Sequence, residues 1–101
     1  MDWREFKAQR IAQLRGSDFA YWVYRAHDPL SCPDSHRALD GIVLSPEHPF
    51  WARWTPPHGA RCHCAIVGGS LPGGILRRGG DPDKVLPDWW QTVDPTDGLD
   101  R

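Results

Sequence analysis

Ser31 to Ala65 reads SCPDSHRALDGIVLSPEHPFWARWTPPHGARCHCA, and the rest of the chain is organised around this stretch. It opens on Cys32-Pro33-Asp34-Ser35-His36 and closes on Arg61-Cys62-His63-Cys64, with Leu39-Asp40-Gly41, Pro49-Phe50-Trp51 and Thr55-Pro56-Pro57-His58-Gly59 between them. All 3 cysteines and four of the 5 histidines lie inside it. Soft donors at the two ends of one loop are what a tetrahedral zinc ion needs to staple distant segments together.

Local patterning around the window predicts a small α+β domain: an N-terminal helix, then a short antiparallel sheet with long Pro/Gly-rich loops, stapled by metal. Pro33 to Leu39 has room for one or two helical turns, and Asp40-Gly41 is a tight turn. Gly41 to Leu44 is a short strand, and Phe50 to Trp54 a compact aromatic anchor. Arg61 to Val67 is a strand with Cys62, Cys64 and Ile66 on one face and His63, Ala65 and Val67 on the other. Upstream, Phe19 to His27 is aromatic and β-branched, and both of its faces are apolar, which predicts a central strand buried on two sides. Residues 2–15 carry Trp3, Phe6, Ile11 and Leu14 at helical steps, with Gly16 placed to end the helix.

At 101 residues the chain is one domain, and 10 Gly with 10 Pro leave little regular structure. Aliphatic residues are sparse while Trp numbers 6, so the core is expected to be built on Trp22, Trp51 and Trp54. The reading divides the chain into a helix over 1–16, the remnant of a longer helical region; a core over 17–67; and an extended Gly/Pro/Asp-rich arm over 68–101 that orders against a partner. Arg4, Lys7, Arg10 and Arg15 make the head basic, and six aspartates make the tail acidic. No apolar run approaches the roughly 20 residues that span a membrane. An odd cysteine count and no signal-peptide core favour metal or plain thiols in a reducing compartment.

Cys62 and Cys64, two apart on a strand, sit about 7 Å apart at Cα and point to one face. Cys32 and His36 would complete a set of three thiolates and one imidazole for Zn²⁺. His58 rivals His36 as the fourth donor, and three packed thiols remain the plain alternative. A catalytic reading, a small metal-dependent nuclease or hydrolase, would use His36 with Asp34 or Asp40, and His58 or His63 beside Cys62. Neither a Gly-rich phosphate loop nor a His-Glu-x-x-His helix accompanies them, and the expectation is that the protein is not an enzyme. Arg53, Arg61, Arg77 and Arg78 near Trp51 and Trp54 are the elements of a nucleic-acid surface. The net charge of −1 argues against a broad phosphate footprint.

Tyr21-Trp22, then Ser35-His36-Arg37-Ala38-Leu39-Asp40-Gly41, His48-Pro49-Phe50-Trp51 and Pro56-Pro57-x-Gly59-x-x-Cys62-x-Cys64 together resemble the C-terminal domain of phage Mu F-like head-morphogenesis (minor capsid) proteins. Asp83 to Pro87 and the acidic tail are similar to that family's C-terminal extension. Cys32-Pro33-Asp34-Ser35 stands where the family often carries Arg-Pro before the histidine. The resemblance implies a virion assembly part of a tailed phage or prophage, at the portal or inner capsid. It implies portal or capsid proteins, or further copies of the chain, as partners, and a place in the virion or host cytoplasm. Nucleic acid would be met only through packaged DNA.

Overall fold

The computed structural model describes residues 3–26, 33–56, 58 and 64–95. Its architecture is α+β: helix α1 (Trp3–Gly16) precedes a three-stranded antiparallel sheet of β1 (Tyr21–Arg25), β2 (Val43–Leu44) and β3 (Ala65–Gly69). The remaining elements are short helices α2 (Asp34–Ala38), α3 (Phe50–Trp54) and α4 (Gly74–Arg77), and a 3-10 turn at Asp88–Gln91.

The strand order is β2-β1-β3, so the aromatic strand is central as its two apolar faces require. Trp22 lies opposite Leu44 and Gly68, and Tyr24 opposite Ile66. Residues directly opposite share a face, so Trp22, Tyr24 and Ile66 point together into the main core. Leu39, Ile42, Phe50, Trp51, Trp54 and Cys64 close it. Trp22, Trp51 and Trp54 are at most 2% exposed, as the scarcity of aliphatic side chains requires. Phe50 is the hub of the aromatic packing, with ring centroids 4.8 Å from Trp51 and 6.1 Å from Tyr24.

Local chemistry sets the short elements. Asp40 Oδ1 accepts from both Arg25 Nε and the Ala26 N–H, at 2.9 Å each, and so ends β1. Gly41 has φ +91°, a left-handed turn conformation that favours glycine, and there the chain swings from α2 towards β2. His48 Nδ1 accepts the Phe50 N–H at 3.0 Å, satisfying an otherwise orphan donor at the start of α3. The N-terminal helix forms over nearly the predicted span, but it is held mainly by its C-terminal half. Leu14 is buried, whereas Phe6 is 53% exposed.

The C-terminal stretch departs from the expected extended arm: residues 71–95 fold back over both sides of the sheet. The reason is the central strand, whose second face (Tyr21, Val23, Arg25) also needs a cover. Tyr21 Oη donates to the Leu71 carbonyl at 3.1 Å, and Arg25 Nη1 to that of Arg78 at 2.9 Å. Gly79, at φ +83°, lies so close to the Arg25 guanidinium that any Cβ there would collide with it. On the main-core side, Trp54 Nε1 donates to the Trp90 carbonyl at 2.7 Å, and Arg53 Nη2 to that of Val93 at 2.7 Å. Among the described residues no helix is long and apolar enough to cross a membrane.

Candidate metal centre

α2 presents His36 inward because Leu39, three residues on, must also reach the core; both are 0% exposed. Cys64 arrives from the start of β3 with the same parity as Ile66, and both are buried. The thiol Sγ lies 3.5 Å from His36 Nδ1. On its other side the imidazole Nε2 is 2.6 Å from the carbonyl oxygen of Pro95. A carbonyl only accepts, so Nε2 carries a hydrogen, and in the neutral imidazole Nδ1 then presents its lone pair to the sulfur. The pair can share an S–H···N hydrogen bond, or its two donor atoms can meet one cation.

His58 completes the cluster. Its ring centroid is 4.8 Å from that of His36 and 5.6 Å from that of Trp54, and its Nε2 pairs with the Tyr24 hydroxyl at 3.0 Å. Burial, followed by His36 and Lys7, lowers its pKa to about 3 against a smaller opposing pull from Asp94. His58 is therefore a neutral imidazole at neutral pH.

Of the four donors read from the sequence, His36 and Cys64 are brought together, while Cys32 and Cys62 lie outside the described residues. Among the described residues, no group of three or more His, Cys, Asp or Glu side chains is arranged to hold a metal. The rival donor His58 is adjacent to His36 but engages Tyr24.

The carboxylates considered as partners of His36 are committed elsewhere. Asp34 pairs with Arg37 at the surface of α2, and Asp40 with Arg25. The group that orients His36 is the Pro95 carbonyl, for which the sequence offers no signal, since any residue has one. Tyr24 was also missed, although its place between Trp22 and Ala26 in an alternating strand puts it on the face of the histidines. Of the arginines that suggested a nucleic-acid surface, Arg53 is spent on the Val93 carbonyl and Arg78 reaches the Gly68 carbonyl on the sheet edge. Arg61 lies outside the described residues.

No family model, curated protein or solved structure matches the chain.

Proposed function

We propose that the chain is a structural part of a tailed-phage or prophage head, a phage Mu F-like C-terminal domain acting at the portal or inner capsid. The observation that carries this reading is where the motif residues lie. Trp22, His36, Leu39, Phe50, Trp51 and Cys64, six of the residues that carry the resemblance, are buried against one another, while Arg37, Ala38 and Pro49 of the same blocks are exposed. A motif made of interior residues describes how a domain is held together, which suits an assembly part better than a hydrolase that must present His36 to a substrate.

A structural zinc held by Cys32, His36, Cys62 and Cys64 belongs to the same proposal. The sulfur and nitrogen ligands of one tetrahedral zinc stand about 3.6 Å apart, from bonds of roughly 2.3 and 2.1 Å, close to the 3.5 Å between Cys64 Sγ and His36 Nδ1. The Nε2–H bond to a backbone carbonyl is the usual outer support of a zinc-binding imidazole. When bound, the ion would tie the start of β3 to α2, and the approach of Cys64 Sγ to His36 Nδ1 supports that reading.

The test is to read the neighbouring genes and, where they encode portal and major capsid proteins, to co-express the chain with these and sediment the assembled particles. Co-sedimentation with portal-containing particles supports the reading. A chain that stays at the top of the gradient, encoded among metabolic genes, or one whose purified form cleaves nucleic acid, overturns it.

A further inference from the structure

Three side chains of α2 and α3 end in N–H groups aimed at the C-terminal stretch, and each meets a backbone carbonyl there. Trp54 Nε1 donates to Trp90 O at 2.7 Å, Arg53 Nη2 to Val93 O at 2.7 Å, and His36 Nε2 to Pro95 O at 2.6 Å. Two rings add to them: Trp89 packs edge-on against Trp54 with centroids 5.9 Å apart, and Trp90 against Phe50 at 6.0 Å. Residues 88–95 thus lie as a strap along α2 and α3, and none of them is fully buried. The chain is anchored again just upstream, where the Asp81 N–H donates to Gly41 O at 2.8 Å and Lys84 Nζ to Asp40 O at 2.5 Å. Val85, Leu86 and Pro87 join the two anchorages. Val85 is 83% exposed, more than any other large apolar side chain among the described residues. Pro87 is extended, at φ −68° and ψ 146°.

We propose that two copies of this chain exchange their straps, residues 88–95 of each lying on α2 and α3 of the other, with Val85 packed against its counterpart where the chains cross. The surface reads carbonyls and two indoles, which the strap of a second copy presents in the same order. Exchange therefore keeps every strap contact, and the pair differs from the single chain only at the hinge and in what the hinge newly buries. From Lys84 to Asp88 the extended chain spans at most about 14 Å. With Lys84 held on its own Asp40, the receiving surface must then lie directly beside the hinge. The two hinges pass one another about a two-fold axis, and each Val85, which covers nothing in the single chain, leaves water against the other. Pro87 fixes its own φ and biases Leu86 towards extended backbone, which favours a hinge that runs on to a neighbour over one that doubles back. A foreign peptide is the poorer occupant, because it has to displace a segment tethered beside the site. The inference rests on the strap and its hinge and stands whether or not the chain belongs to a phage head.

The test uses two batches of the full chain, one enriched in heavy nitrogen and one in heavy carbon, incubated together at millimolar concentration in urea below the unfolding midpoint. Size-exclusion chromatography with light scattering should show a dimer whose share rises with concentration. Isotope-filtered nuclear Overhauser spectra of that dimer should connect the Trp54 ring of one copy with Trp90 of the other. Val85→Lys should weaken the dimer about tenfold or more and leave the urea midpoint of the monomer unchanged. A short Gly/Ser insertion after Val85 should return the chain to monomer, since a longer hinge lets the strap fold back on its own copy. The labelling arm uses the unaltered protein and decides even if a variant fails to fold. The proposal is overturned by a chain that stays monomeric at millimolar concentration, by a dimer whose Trp54–Trp90 contacts remain within one copy, or by a dimer as strong in Val85→Lys as in the parent.

Discussion

The Nε2–H of His36 donates to the carbonyl oxygen of Pro95 at 2.6 Å across 59 residues of sequence. One bond thereby joins the centre of the core to the end of the described chain. It fixes the tautomer of the imidazole that faces Cys64, and it makes the C-terminal stretch part of the site.

The first expectation concerns metal. Protein purified without a tag should carry about one zinc per chain, and His36→Ala or Cys64→Ser should lose most of it by elemental analysis. Metal binding is coupled to folding in small domains, and each kcal/mol moves the melting temperature of a domain this size by about 4–8 °C. A chelator should therefore shift the melt by tens of degrees; an unchanged melt means that the thiols are simply packed.

The second concerns pH. Folding lowers the His58 pKa to about 3, chiefly by burial, from the ordinary value of 6.5. Between those values the unfolded chain holds a proton that the folded chain does not, so this contribution to stability is complete above about pH 6.5 and is lost as pH falls towards 3. The slope reaches at most about 1.4 kcal/mol per pH unit. Urea unfolding followed from about pH 7.5 down to pH 5, above the range of ordinary carboxylates, should show the decline. His58→Gln should flatten it whatever its effect on absolute stability.

The third concerns the aromatic core. Trp54 is fully buried and touches Phe50, His36, His58 and Trp89. Trp54→Ala should cost about 3–5 kcal/mol. Phe6→Ala, at a residue 53% exposed, should cost less than about 1 kcal/mol. Equal urea midpoints for the two variants would mean that the core is not centred on α3.

The fourth concerns the C-terminal stretch. A chain ending after Val67 loses the cover of the second sheet face and the carbonyl partners of Trp54 and His36, and should show no cooperative melt by circular dichroism. A chain ending after Pro87 keeps the residues packed near Tyr21 and Arg25 and should fold with reduced stability. Full stability in the shorter chain would mean that residues 68–95 are dispensable to the fold.

Much of the sheet was legible because its signals are local. Alternation over Tyr21 to Arg25 marked a strand apolar on both faces, and a strand of that kind has to be central. The same parity rule put Cys64 and Ile66 on one inward face. His36, Leu39 and Gly41 were likewise readable as an inward helical turn ending in a glycine turn. The Ser31–Ala65 window also named His36 and Cys64 as partners on chemical grounds, although 28 residues separate them.

What tertiary structure decided was everything that depends on backbone groups far apart in the chain. A carbonyl carries no sequence signature, so the support of His36 by Pro95, of Trp54 by Trp90 and of Arg53 by Val93 could not be read from spacing. For the same reason a Gly/Pro-rich stretch with few apolar residues was expected to stand off the core. Composition measures how little such a segment can bury on its own; it does not register the open face of a central strand, or the side chains of Trp54 and His36, waiting for the hydrogen-bond partners that the segment supplies.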